Sequence, residues 1–431
     1  MSREFDVLIV GAGMVGATIA CGLARSGLKI GIIDHQSPPE FIEGEAPHLR
    51  VSALSFASEQ VLRHVGAWQH IANKRVCPYR RLAVNEQPSK KGLSAWLPDI
   101  STWARTEFNA DDIFPAHGEG HLGHIVENDI VQLGLHETMA ELDNIQLFCP
   151  DQIVSMQLQG EQKTIHLAEN GELKAKLVIG ADGAQSKVRE QANIGQYREQ
   201  YEQQAFVCTV EYQGKQEDIT WQSFTSHGPM AFLPLADSGT GHNGGKIHYA
   251  SLVWYDAPDS VKRLKSMGDA ELLTTLQSKY PKELPTLNNV IARASFPLFK
   301  SHALDYAKEG VVIAGDAAHT INPLAGQGVN LGFLDAAVLI EVLAQAVMNN
   351  HNFASKAILD EYQKRRRSEN QTMMRLMDAF YYGFSNDHLP LKIIRNLGLG
   401  LANNAGVAKH SVVKYAIGLS GDLPKLAKPA Y

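Results

Sequence analysis

The chain has 431 residues, 44% of them apolar, and a formal net charge of -6 spread along its length. That length allows roughly two or three domains with real cores, and the mild, unclustered acidity excludes nucleic acid as the main partner. The four cysteines (Cys21, Cys77, Cys149, Cys208) form no CxxC pair, so no metal site and no redox dithiol are expected, and the thiols read as those of a reduced, cytoplasmic protein.

Phe5-Asp6-Val7-Leu8-Ile9-Val10 runs directly into Gly11-Ala12-Gly13-Met14-Val15-Gly16, and a second apolar run, Ile30-Gly31-Ile32-Ile33, ends on Asp34. A strand, a glycine turn, a helix and a second strand closing on an acid form the unit that binds the ADP half of a dinucleotide. Gly11 serves the tight turn, Gly13 the approach of backbone amides to the pyrophosphate, and Gly16 the close packing of helix on strand. The helix N-terminus adds its partial positive charge. The strand starts within five residues of Met1, which is expected to leave no room for a signal peptide.

A helix is expected from Ala57 to Trp68. Short strand-like runs follow at Arg81-Leu82-Ala83-Val84 and Thr102-Trp103-Ala104-Arg105-Thr106, then a helix over 125–142 and a buried strand at Lys176-Leu177-Val178-Ile179-Gly180. From Phe206 to Trp254 the pattern turns to period two, with strands at 206–212, 220–224, 231–234 and 248–254 and a hairpin at Ser226-His227-Gly228-Pro229. Such a meander has no parallel crossovers and forms a sheet of its own. Asp237 to Gly245 reads as a mobile surface loop. After Val311-Val312-Ile313-Ala314, a buried strand, the rest is expected to be helical or loop. The apolar run Ala336 to Met348 carries Glu341 and falls short of the roughly 18 residues of a membrane span.

Two more strand ends carry chemistry. Ile179-Gly180-Ala181-Asp182-Gly183 precedes Ala184-Gln185-Ser186-Lys187-Val188-Arg189, a turn before a helix. Gly315-Asp316-Ala317-Ala318-His319 leads to Pro323-Leu324-Ala325-Gly326-Gln327-Gly328-Val329-Asn330, a glycine-rich helix start whose free amides suit an anionic ring edge. Three phosphate- or sugar-seeking sites so far apart in sequence imply a long cofactor lying extended across the fold, whereas a simple dehydrogenase would need the first alone.

These three motifs, in this order, resemble those of the single-component FAD-dependent aromatic hydroxylases, the para-hydroxybenzoate hydroxylase superfamily. Arg50-Val51-Ser52-Ala53-Leu54-Ser55, Gly123-His124-Ile125-Val126-Glu127-Asn128 and Gly315 through Gly332 are similar to its ubiquinone-biosynthesis group. Pro78 to Leu82, Trp221 to Thr225, Ala231 to Leu235, Phe384-Ser385-Asn386 and Arg395 to Leu399 are most similar to the demethoxyubiquinol hydroxylase branch. The resemblance spans nearly the whole chain.

It implies an α/β fold: an FAD-binding Rossmann-like domain of the glutathione reductase type (residues 1–75, 109–190 and 300–350), interleaved with an antiparallel-sheet substrate domain (76–108 and 191–299), and a C-terminal helical region (351–431). Gly11, Gly13 and Gly16 would hold the pyrophosphate, and Asp34, where relatives usually have Glu, the adenosine ribose. Arg50 would neutralise the pyrophosphate or ribityl region. Gln132 would touch the ribityl chain, a solvated helix face being the equal alternative; Asn128 replaces an arginine common in relatives, so one charge contact is expected to be missing. Asp182 would support the pyrophosphate side and Asp316 the ribityl hydroxyls. Gly328 opens the helix start whose Val329 and Asn330 amides would face the pyrimidine edge of the flavin. The Pro323 carbonyl would accept from the reacting ring. Trp221, Phe224 and Phe232 are candidates for the floor of the substrate pocket, with plain sheet core as the alternative. His319 is a candidate base, but it precedes the loop and reads instead as a turn histidine bonded to backbone.

The implied reaction is hydroxylation of a polyprenyl quinol or phenol ring by molecular oxygen through a flavin peroxide, with electrons from NAD(P)H or from a protein donor. The demethoxyubiquinol step is expected. The alternatives are another ring hydroxylation of the same pathway, a prenyl-lipid reductase or dehydrogenase, and a non-catalytic flavin-stabilised subunit among other quinone-biosynthesis enzymes. A substrate so apolar calls for a membrane surface. Pro390 to Leu419 mixes apolar residues with Lys392, Arg395, Lys409 and Lys414, a composition that suits an interfacial helix pair on the inner face of a membrane; packing against the body of the protein or a second subunit of a homo-oligomer is the alternative. Lys364-Arg365-Arg366-Arg367 reads as a solvated helix face.

Overall fold

The structure, a computed structural model, describes residues 3–86, 105–114, 120–225, 227–237, 247–321, 328–384 and 421–429. The chain begins with β1 (Arg3–Val10), α1 (Met14–Ala24), β2 (Ile30–Ile33), β3 (Val51–Ser55), α2 (Phe56–Val65), α3 (Trp68–Ala72), β4 (Cys77–Tyr79), β5 (Arg81–Glu86) and β6 (Arg105–Asn109). Next come α4 (Ala110–Ile113), β7 (Gly123–Glu127), α5 (Asn128–Ala140), β8 (Ile145–Phe148), β9 (Ile153–Gln157), β10 (Lys163–Leu167), β11 (Gly171–Gly180) and α6 (Lys187–Gln191). Then follow β12 (Gln196–Tyr212), β13 (Ile219–Thr225), β14 (Gly228–Leu235), β15 (His248–Asp256), α7 (Pro258–Ser266), α8 (Asp269–Lys279) and β16 (Leu287–Ala303). The last are β17 (Ala307–Lys308), β18 (Val311–Ile313), β19 (His319–Thr320), α9 (Gly328–Met348) and α10 (Lys356–Phe384).

One sheet runs β17-β18-β11-β1-β2-β8, with β10 and β9 continuing from β11. The pairs β18–β11–β1–β2–β8 are parallel. A parallel sheet is covered on both faces, which is why Val7 to Val10 and Leu177 to Ile179 are uninterrupted apolar runs, all buried. Helix α1 packs between the sheet and α9 so tightly that a Cβ on Gly22 would lie 2.3 Å from Ile340 Cδ1. Helix α9 is longer than the expected apolar run: its 21 residues are long and apolar enough to cross a membrane. Here Phe333, Val338, Leu339 and Leu343 are core residues of this layer.

The second sheet runs β19-β16-β12-β15-β14-β13-β5-β6. It is antiparallel except where β5 joins β13 in parallel, Arg81 to Glu86 against Ile219 to Phe224. The expected meander has no such pairing. Strand β5 comes from far upstream, so no short local connection dictates its direction. Strand β16 stays in this sheet through Ala303, and β19 adds to it. Residues 300–303 and 319–320, expected in the first domain, therefore belong to the second sheet. Residues 87–104, which include most of one expected strand, and 238–246, which include all of the expected loop but Asp237, lie outside the described residues.

A small third sheet, β3-β7-β4, replaces the start of the helix expected at 125. Gly123 allows the close pairing, since a Cβ there would fall 2.1 Å from the Leu54 carbonyl oxygen, and the β-branched Ile125 and Val126 favour a strand. The expected helix over 57–68 ends at Gly66, which takes φ 93° as its C-cap. At the C-terminus, α10 packs on α9, and residues 421–429 pack on α2 and α9 through Ala427. Residues 385–420 lie outside the described residues.

Candidate functional site

The three motif loops meet at the start of α1. Gly11 has φ 101°, and a Cβ on it would lie 2.3 Å from the Ala181 carbonyl oxygen of the second loop. A Cβ on Gly16 would fall 1.9 Å from the Gly11 carbonyl oxygen. The third loop closes on the same helix: a Cβ on Gly332 would reach 2.6 Å from Val15. Strand-end hydrogen bonds fix the order, Gly11 N to Ile33 O at 2.8 Å, Ala181 N to Val10 O at 2.8 Å and Ala314 N to Gly180 O at 2.9 Å. Gly13 is different: a Cβ there would meet nothing within 4 Å, and the same holds for Gly183 and Gly328. All three line one cavity of about 530 Å³ between the two large sheets.

That cavity has two unlike walls. On the first-sheet side stand Arg50, Ser52, Asn128, Asp316 and the start of α9 at Gly328 and Val329. Among the described residues no carboxylate pairs with the exposed Arg50 guanidinium within ion-pair distance. Lost hydration raises the Asp316 carboxyl from its ordinary value, against the pull of His319 and Arg50. The second-sheet wall presents Val207, Leu233, Val253, Tyr255 and Leu298, with no charged side chain among its described residues. Burial pushes the Tyr255 phenol up, so it stays neutral.

A family model described as an FAD binding domain matches residues 4–377. The chain belongs to this FAD-binding family. It is 39% identical to 3-demethoxyubiquinol 3-hydroxylase of Escherichia coli over 419 residues, covering 97% of this chain and 100% of that protein. Identity to the ubiquinone hydroxylase UbiL of Rhodospirillum rubrum is 30%, covering 98% of this chain and 92% of that one. The fold superposes on p-nitrophenol 4-monooxygenase PnpA of Pseudomonas putida with a TM-score of 0.72 at 18% identity, covering 98% and 100% of the two chains. PqsL of Pseudomonas aeruginosa gives 0.71 at 19% identity, covering 92% and 99%. These two likenesses establish the fold.

FAD is the cofactor of this family member, and the cleft fits it. Gly13, Gly183 and Gly328 leave a cradle that side chains would fill, Arg50 offers an unneutralised cation, and Asp316 offers an acceptor. Several expected contacts are instead committed to shaping that cradle. Asp34 Oδ2 accepts from Ala12 N at 2.6 Å, inside the glycine turn. Gln132 Nε2 donates to the Ala12 carbonyl at 3.1 Å, and the His136 ring meets the same oxygen at 2.8 Å. The Asp182 carboxylate caps α6, accepting from Lys187 N at 2.7 Å and Val188 N at 3.1 Å. It holds the second loop while Ala181 and Gly183 face the cavity. The Asn330 side chain is a clamp: Oδ1 accepts from Ser55 N at 2.9 Å and Ser58 Oγ at 2.7 Å, and Nδ2 donates to Ala53 O at 2.8 Å. Pro323 lies outside the described residues.

The aromatic floor needs correction. Trp221 and Phe232 point to the other face of the second sheet, into a core with Leu264 of α7 and Leu272 of α8. Arg105 stacks on the Trp221 ring at 4.5 Å. Side chains alternate along a strand, so Leu233 and Val253 face the cleft where those aromatics were expected. Phe224 is buried and is not among the cavity-lining residues.

The sequence reading missed the group behind Asp316. Asp335, fully buried, accepts from Gly315 N at 3.1 Å, His319 Nε2 at 2.5 Å, Arg366 Nε at 2.8 Å and Asn370 Nδ2 at 2.9 Å. Burial alone would raise its carboxyl; His319 and Arg366 outweigh that and hold it well below the ordinary carboxylate range. His319 thus bonds a carboxylate rather than backbone. Arg366 is 2% exposed, and Arg365 pairs with Asp422 and Glu341, so the basic run is not a solvated face. Arg189 was also missed; it donates to Ala317 O at 2.8 Å and Ala184 O at 3.0 Å, tying the second loop to the third. Its position inside the Asp-Gly motif was the available signal.

Proposed function

We propose that this protein hydroxylates the ring of a polyprenyl quinol of ubiquinone biosynthesis, at the step named for its 3-demethoxyubiquinol 3-hydroxylase relative. The observation that carries the reading is identity at 39% over 97% of the chain, joined to a cleft with one wall that carries Arg50 and Asp316 and one that carries no charged side chain. When bound, FAD supplies the redox chemistry, taking electrons from a reductant and delivering one oxygen atom of O2 to the ring while the other leaves as water.

The polar wall is the part suited to the cofactor. Gly13 lets the first turn's amides approach a pyrophosphate, and Arg50 offsets its charge. Asp316, which lines the cleft, would accept from sugar hydroxyls. The amides of Gly328 and Val329, at the N-terminus of α9, suit a ring edge that gains negative charge on reduction. The apolar wall of Val207, Leu233, Val253 and Leu298 admits an aromatic ring with its prenyl tail and excludes water. A quinol ring is activated by its own hydroxyls, so a wall without a charged acid or base suits it. Delivery of such a lipid supports a cytoplasmic protein peripheral to a membrane, and the amphipathic composition of residues 390–419, outside the described residues, supports that location.

The test uses the purified flavin-loaded protein, a short-chain 3-demethoxyubiquinol and a nicotinamide or reductase donor under 18O2. One labelled oxygen in each product molecule is expected. Turnover without label would make the protein a reductase or dehydrogenase, and a colourless protein that takes up no added FAD would overturn the reading entirely.

A further inference from the structure

In the first turn of α2, directly after the Ser58 that contacts Asn330, Glu59 lies 1% exposed. Its Oε1 accepts from Arg63 at 2.8 Å (Nε) and 2.7 Å (Nη2). Its Oε2 faces two histidines, His121 Nε2 at 2.6 Å and His124 Nδ1 at 3.1 Å. The two rings stand 4.3 Å apart between centroids. His124 is 7% exposed, and its Nδ1 is buried without a hydrogen-bond partner although it is aimed at this carboxylate. All three donor atoms lie within 4.8 Å of one another.

We propose that Glu59, His121 and His124 bind one divalent transition-metal ion, with zinc the best match. Two imidazole nitrogens and one carboxylate oxygen are a familiar zinc donor set with the fourth position open to water. The His121 side chain, 21% exposed, leaves a route for the ion and that water. Tetrahedral donors stand roughly 3.3 Å apart, so Glu59 and His121 spread slightly while His124 gains a partner for its orphaned nitrogen. Arg63 keeps Oε1, which leaves Oε2 as a single-atom donor. The ion would tie α2 to β7, and Ser58 of α2 with its N-cap Ser55 makes the contacts to Asn330 at the cofactor end. Its role is bracing, apart from the reaction itself.

The experiment takes untagged holoprotein, strips it with a chelator, and titrates zinc chloride by calorimetry alongside thermal unfolding. One equivalent is expected to bind and to raise the unfolding temperature by mass action. His121→Ala and His124→Ala, checked for an intact flavin spectrum, are each expected to weaken that binding roughly tenfold or more. His121 is the variant least apt to disturb folding, since its side chain is partly exposed. Binding with unchanged affinity in both variants places the ion elsewhere and overturns the proposal, as does the absence of any binding to the parent protein.

Discussion

Asp335 and Arg366 meet 2.8 Å apart in the interior and join the middle of α9 to α10, neither being more than 2% exposed. Breaking one partner strands a buried charge, which costs about 3–5 kcal/mol. Asp335→Ala also frees His319 and the Gly315 amide. Urea unfolding is expected to show at least that loss, together with weaker flavin retention because Gly315 positions Asp316.

The same carboxylate sets a pH dependence. Its folded pKa is depressed, so its contribution is complete above about pH 4, the value of an unfolded aspartate, and is lost as pH falls toward the folded value. The stability gap between the parent protein and Asp335→Asn should therefore narrow on acidification below about pH 4. A gap that stays constant there would contradict the depressed pKa.

Gly13 and Gly16 separate binding from folding. Gly13→Ala places its Cβ in open space, so the unloaded protein should unfold as the parent does while FAD affinity drops by about tenfold or more, roughly 1.4 kcal/mol. Gly16→Ala drives a Cβ into the Gly11 carbonyl and should lower stability itself. Flavin fluorescence titration and thermal melts of the unloaded proteins distinguish the two effects.

Arg50→Ala removes an exposed cation, so stability should change by less than about 0.5 kcal/mol. Loss of a charge-assisted contact should weaken FAD binding by about 1.5–3 kcal/mol. Equal FAD affinity in parent and variant would remove Arg50 from the cofactor site.

The two faces of the second sheet should respond differently. Val253→Phe narrows the cleft and should raise KM about tenfold with little change in stability beyond roughly 1–3 kcal/mol. Trp221→Ala empties a core position and should cost about 3–5 kcal/mol while leaving KM near the parent value.

The cofactor loops were legible because their chemistry is local: a strand end, a glycine and an acid act within a few residues, and Gly11, Gly13 and Gly16 take the places their spacing implied. Period-two alternation revealed the strands of the second sheet, and it sorted residues into two sets. It does not say which set meets the cleft, since that depends on α7 and α8 covering the other face, so for Trp221 and Phe232 it leaves pocket floor and sheet core both open. Arg366 was opaque for a related reason. Within a basic run it looks solvated, and its partner Asp335 lies 31 residues upstream inside an apolar helix. Glu59 and His121, 62 residues apart, gave no spacing signal at all.

The interleaving of the two sheets has a bearing on biosynthesis. The cavity is walled by segments from Gly13 through Gly332, and the third loop is held by Arg366. A ribosome that has made only the first 300 residues has exposed the glycine turn without the helix start or the buried ion pair that complete the cradle. The cradle is therefore completed late in the synthesis of the chain, when its last third joins the N-terminal dinucleotide unit.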